Sequence, residues 1–180
     1  MENKLQNKRR SLYIRRTVLA LLVVLTALFQ HTRSALPTIG SARMFPLVVL
    51  VAVVALFERS LAGVFFGFLA GVLWDYASVT GDGFFAVALC LVGFFCGVLS
   101  SFVLRNNIFS ALLTSAFSLV FCLSAYWFGF VFLKGYDPEG ALLLRFYLPS
   151  AALSLVFVPI YYYLIRALKR ALDGPKRIVV

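Results

Sequence analysis

The sequence predicts an all-α polytopic membrane protein with six transmembrane helices. Hydrophobic residues make up 62% of the chain and charged residues 13%, with a mean hydropathy of +0.96, whereas soluble domains are about 45–50% apolar and 25% charged. Apolar runs separated by short polar stretches cover most of the 180 residues. The Lys and Arg residues gather at alternate connections, as the positive-inside rule requires. We therefore expect one membrane domain and no sizeable soluble domain.

The N-terminal segment, residues 1–16, carries six Lys and Arg residues against the single acid Glu2. It is predicted to be a cytoplasmic anchor that also attracts anionic lipids. The first apolar run covers residues 17–29 and is short enough to resemble a signal-peptide core. No A-x-A cleavage signal follows it, so we interpret it as a spanning helix extended at its start by Leu12, Tyr13 and Ile14.

Two short runs follow, at residues 44–57 and 61–74, and only Glu58, Arg59 and Ser60 separate them. Each has 14 residues, fewer than the ~20 expected of a spanning helix. One interpretation adds residues 39–43 and 76–79, which brings both runs close to spanning length. The other is a re-entrant hairpin with Glu58 and Arg59 paired inside the protein. Both interpretations return the chain to the same side of the membrane.

Three further segments complete the membrane domain, which is predicted to cover residues 17–165. They are residues 84–104, 108–133 and 142–165, and Pro149 and Pro159 are expected to kink the last one. The C-terminal tail, residues 166–180, is basic. With both termini in the cytoplasm, most of the 17 Lys and Arg residues lie on that side, which supports this orientation.

Small residues recur at intervals of four in the third segment, at Gly63, Gly67 and Gly71, and Asp75 comes next in the series. Each four-residue step rotates about 40° around a helix, so these residues form one slanting ridge. Glycines along a ridge allow another helix to approach closely, a common contact in membranes. The ridge either packs inside the protein, with Asp75 capping the next turn, or contacts a partner.

The residue types argue against several other functions. We find no Ser/His/Asp set, HExxH motif or phosphate-binding glycine loop, so no catalytic residues are predicted. Cys90, Cys96 and Cys122 lack metal-site spacing, His31 has no second ligand nearby, and neither metal nor cofactor is expected. The net charge of +10 is explained by membrane topology, so no nucleic-acid partner is predicted.

The run Gly67-x3-Gly71-x3-Asp75-x7-Gly83, with Ala86 and the Gly93-Phe94 pair after it, resembles the central motif of the rod shape-determining protein MreD family. The Arg105-Asn106 turn and Pro159 before a basic tail are also similar to that family. The residues expected to pack helices or bind a partner are Gly63, Gly67, Gly71, Asp75, Gly83, Gly93 and Gly97.

The resemblance implies a non-enzymatic scaffold for cell-wall elongation in the bacterial inner membrane. Its expected partners are MreC, the MreB cytoskeleton, and the peptidoglycan polymerase and transpeptidase of elongation. The family's fold is similar to the substrate-binding membrane subunits of energy-coupling factor transporters. The alternative function is therefore a subunit that binds a vitamin-type solute. However, residues 17–29 lack the Ala-x3-Ala pattern with which such subunits often dock.

Overall fold

The computed structural model describes residues 2–32, 44–58, 60–78, 83–102, 107–127 and 148–173. These residues form helices and short connections, and none of them belongs to a strand. The helices are α1 (Glu2–His31), α2 (Pro46–Glu58), α3 (Ser60–Ala77), α4 (Phe84–Phe102), α5 (Ile108–Trp127), α6 (Leu148–Leu155) and α7 (Phe157–Asp173). The all-α class predicted from the sequence is confirmed for the described part of the chain.

Helix α2 is the centre of the bundle. Every residue from Pro46 to Phe57 is buried, and the helix contacts α1, α3, α4, α5, α6 and α7. Its composition accounts for this position, because a helix that is apolar on all sides is stable only where protein or lipid surrounds it completely. Pro46 suits the first turn, where a missing N–H leaves no intrahelical bond unmade.

Helix α1 packs against this core along one narrow stripe. Leu19, Val23 and Ala27 are four residues apart and buried, so they lie on one face of the helix. The opposite face exposes large apolar side chains, among them Leu21, with 58% of its surface exposed, and Leu28, with 62%. Such a face requires an apolar surrounding, as lipid provides.

The last apolar segment is interrupted at Val156, between α6 and α7. Pro159 explains the interruption, because it has no N–H to donate to the carbonyl of Leu155 four residues earlier. The Val156 N–H instead bonds to the Leu153 carbonyl at 3.3 Å. Pro149 lies in the first turn of α6, where it breaks nothing. Helix α7 continues to Asp173, so the first part of the predicted tail is helical.

Within the described part of the chain, four helical stretches are long and apolar enough to cross a membrane: Arg10–His31, Ser60–Ala77, Ile108–Tyr126 and Pro149–Leu172. They indicate a multi-pass membrane protein. Two shorter apolar helices, Pro46–Glu58 and Phe84–Ser100, lie beside them. With 13 residues, α2 is about 20 Å long, less than the ~30 Å hydrocarbon thickness. Arg59, Arg105 and the predicted extensions at 39–43, 79, 128–133 and 142–147 lie outside the described residues.

Candidate functional site: the contact between α3 and α4

The glycine ridge of α3 lies directly against α4. A Cβ atom added at Gly63 would overlap the carbonyl oxygen of Gly93, and one at Gly67 would overlap that of Leu89. A Cβ at Gly71 would strike the backbone of Phe85 and Ala86. Only glycine permits this approach, since any side chain must displace backbone atoms rather than a mobile side chain. The ridge therefore packs inside the protein.

The contact is reciprocal at its far end. Gly93 of α4 faces the backbone of Gly63, so a Cβ on either residue would meet the other helix. Gly97, one turn further along α4, is buried. Gly63 and Gly93, which the sequence places on two separate segments, thus face each other in the structure.

Asp75 holds the start of α4 from the end of α3. Its two carboxylate oxygens accept hydrogen bonds from the backbone N–H groups of Phe85, at 3.1 Å, and Ala86, at 2.8 Å. The first N–H groups of a helix have no partner within the helix, and a negative charge there also interacts favourably with the helix dipole. Asp75 is only 7% exposed, and these two bonds satisfy its charge inside the protein.

Gly83 allows the chain to enter α4 at this point. Its φ angle is +72°, a conformation that side chains disfavour, and a Cβ would meet no atom within 4 Å. The requirement for glycine is thus conformational at Gly83 and steric along the ridge. On the α3 side, the Ser78 hydroxyl donates to the Asp75 carbonyl at 3.0 Å, which closes the last turn of that helix.

A stack of four aromatic rings, which the sequence analysis missed, lies beside Asp75. Phe45, Trp74, Phe85 and Tyr126 follow one another with ring centroids 5.5, 4.5 and 5.8 Å apart and nearly parallel planes. The rings come from the residue before α2 and from α3, α4 and α5. His31 meets Trp74 edge-on at 6.3 Å. The stack joins five chain segments at the end of the bundle that contains Asp75, and no sequence spacing could have revealed it.

The central helix α2 is capped at both ends by side chains from other helices. At its start, the Leu47 N–H donates to Gln30 Oε1 at 3.1 Å, and the Phe45 N–H donates to Ser154 Oγ at 2.8 Å. At its end, the Leu56 carbonyl accepts a bond from Ser100 Oγ at 2.6 Å. Backbone groups of a helix that ends inside an apolar bundle need such partners.

Charged side chains also bind the C-terminal end of α2. Lys169 Nζ donates to the Phe57 carbonyl at 3.2 Å, and a cation near a helix C-terminus is favourable. Glu58 forms a two-pronged ion pair with Arg15 of α1, with N–O distances of 2.7 and 2.9 Å. The carboxylate that one interpretation of the sequence paired with Arg59 is therefore held by Arg15. An uncompensated charge at this depth would be costly, so this pair ties α1 to α2.

A second ridge of small residues, also missed from the sequence, runs along α5. Ser110, Thr114, Ser118 and Cys122 are four residues apart and buried. The Ser118 hydroxyl donates to the Thr114 carbonyl at 2.7 Å and lies 3.1 Å from Cys96 Sγ on α4. The four-residue spacing that identified the glycines would have identified this ridge. The described residues contain free cysteines at 90, 96 and 122 and no cluster of metal-ligating groups.

Comparison with known proteins identified no relative of this chain. No protein-family model matches the chain, and neither the curated proteins nor the solved structures include a significant match.

Proposed function

We propose that this protein is a non-enzymatic scaffold of the bacterial cell-elongation machinery, of the MreD type, which binds MreC in the inner membrane. One observation carries the proposal: the residues behind the resemblance meet at one place. Gly67, Gly71, Asp75 and Gly83 all act at the contact between α3 and α4, against Ala86 and its neighbours. A motif that packs two helices this closely supports a role in holding helices together.

The proposed architecture has six membrane segments, with α6 and α7 together as one kinked segment. It is the arrangement expected of a fold similar to the substrate-binding membrane subunits of energy-coupling factor transporters. Both termini lie in the cytoplasm in this proposal, where their basic residues meet anionic lipids. MreB and the elongation polymerase and transpeptidase join the assembly directly or through MreC.

In this proposal MreC binds outside the glycine groove of α3. Since α4 occupies the glycine groove of α3, the groove is not open to a partner helix. The outer face of the α3–α4 pair carries exposed aromatic side chains, including Phe65, Phe68 and Phe95. A single-span partner would meet this surface or another outer face of the bundle.

The test is affinity purification of the tagged full chain from bacterial membranes, with the co-purifying proteins quantified. An unrelated multi-pass protein carrying the same tag is the control. We expect MreC to be recovered above that control. Recovery of an ATPase-linked transporter complex without MreC would contradict the proposal.

A thermal-stability screen against vitamins separates the scaffold from the transporter subunit independently. A ligand present at 100 times its Kd stabilises its protein by about 2.7 kcal/mol. We expect no vitamin to have this effect. Saturable stabilisation by one of them would assign the chain to solute uptake.

A further inference from the structure

The basic end of the bundle is an ordered surface built by two helices. Ser11 Oγ near the start of α1 donates to the Leu172 carbonyl near the end of α7 at 2.7 Å. The Arg15–Glu58 pair and the Lys169–Phe57 bond lie at this same end, because both hold the C-terminus of α2. Basic side chains on α1 and α7 therefore have defined positions relative to one another.

These basic residues divide into two groups. Arg15 and Lys169 point inward and bond to Glu58 and to the Phe57 carbonyl. Arg166 and Arg170 point outward, and both are exposed. The outward group has charge to offer a ligand, whereas the inward group is used to hold the bundle together.

Arg166 and Arg170 share one face of α7 with Tyr163. Their spacing of three and four residues places all three on adjacent turns of one stripe. Tyr163 is 59% exposed. The Arg166 guanidinium lies 5.8 Å from the centroid of the Tyr162 ring, and its Nη1 atom is 3.5 Å from the Tyr162 hydroxyl. This contact restricts the side chain before any ligand arrives.

We propose that Arg166 and Arg170 bind the headgroup of an anionic phospholipid, with Tyr163 at the boundary between headgroup and acyl chain. A guanidinium presents a planar set of donors that matches phosphate oxygens, and tyrosine favours this interfacial depth. Residues 157–165 of α7 carry no charge, so the two arginines that follow reach the level of the headgroups. The inference sharpens the anionic-lipid contact of the proposed function and rests on its membrane placement, but not on MreC.

The experiment titrates the purified full chain in neutral detergent with phosphatidylglycerol or phosphatidylcholine of identical acyl chains. Bound lipid is quantified by native mass spectrometry. The test variant is Arg166→Gln/Arg170→Gln. The charge-matched control is Arg10→Gln/Arg16→Gln. These exposed arginines of α1 attract an anionic bilayer surface, but they are six residues apart on different faces of the helix and cannot hold one headgroup together in detergent.

We expect phosphatidylglycerol to bind the wild type in preference to phosphatidylcholine. The α7 variant should bind it about twenty-fivefold more weakly, or roughly fivefold for each arginine removed, as expected when a direct hydrogen bond to the headgroup is lost, and the control should change less than threefold. An equal loss in both variants would overturn the proposal, because only diffuse charge attraction would remain. Displacement of the lipid by millimolar inorganic phosphate would also overturn it in favour of a site for free anions.

Arg170→Gln alone carries the test if the double variant does not fold, because a single exposed side chain is changed. A fivefold loss supports the site, and unchanged binding contradicts it. Since MreC is absent from the assay, failure here leaves the scaffold proposal standing, and failure of MreC recovery leaves the lipid site standing.

Discussion

Asp75 shows how one residue can be costly and necessary in the same place. A carboxylate within an apolar helix demands partners, and the two N–H groups at the start of α4 lack partners of their own. The carboxylate accepts hydrogen bonds from these N–H groups, so both find their partners across the connection between the two helices. The charge that stood out in the sequence as a candidate contact for another protein is thus used within this one.

Replacing Asp75 is expected to destabilise the bundle in proportion to the acceptors removed. Asp75→Ala loses both bonds and should cost about 2 kcal/mol or more. Asp75→Asn keeps one acceptor oxygen and should lie between alanine and the wild type. Thermal unfolding of the purified chain in detergent measures both. The control is Tyr76→Ala, since Tyr76 is 92% exposed and should have little effect; equal stability of wild type and Asp75→Ala would exclude the capping role.

At the scale of elements, the α3–α4 pair and α2 illustrate two different ways of packing a helix in the bundle. The backbones of α3 and α4 are in direct contact, because the glycines of α3 place no side chain between them. α2 is apolar on all sides and is surrounded by other helices. The first arrangement depends on glycines, which have no side chain. The second depends on side chains of other helices that form hydrogen bonds with the backbone groups at the ends of α2.

Filling the glycine groove should separate α3 from α4. Gly67→Leu places a side chain where the Leu89 carbonyl lies, and we expect a loss of 1–3 kcal/mol, the usual cost of overpacking. The matched control is Ala152→Leu on the exposed surface of α6, which adds a comparable volume without a clash. Unfolding of both variants in detergent provides the comparison, and a Gly67→Leu protein as stable as the control would refute the close contact.

The difference between these two elements also explains how far sequence could lead. The glycine spacing could be recognised in the sequence because a close contact between two helix backbones requires glycine or another small residue at each contact position. The central position of α2 was not, because a uniformly apolar helix has the same composition whether protein or lipid surrounds it. Nor could its caps be predicted: Gln30, Ser100, Ser154 and Lys169 are ordinary polar residues on four other helices, and only the folded bundle brings them to α2.

At the scale of the whole molecule, the orientation in the membrane stays a prediction that rests on charge. The structure groups the two basic helix ends at one end of the bundle. The Asp75 contact and the aromatic stack involve the opposite ends of α1, α3 and α5. If the basic end is cytoplasmic, as the positive-inside rule demands, Asp75 lies near the outer surface.

Cysteine labelling tests this orientation directly. In a background without native cysteines, Thr32→Cys should react with a membrane-impermeant thiol reagent in intact cells. Asn107→Cys should react only after the cells are opened. Both positions are exposed, so accessibility to the reagent differs only by side of the membrane. Labelling of Asn107→Cys in sealed cells would reverse the proposed topology.

The capping of α2 by late parts of the chain has a consequence for how the protein is made. Ser154 comes 109 residues after the Phe45 N–H that it accepts, and Lys169 comes 112 residues after the Phe57 carbonyl that it binds. During synthesis α2 leaves the ribosome long before these partners exist. Water or lipid headgroups must satisfy its ends until then. The ends of α2 at the centre of the bundle are therefore sealed only after α6 and α7 have been translated.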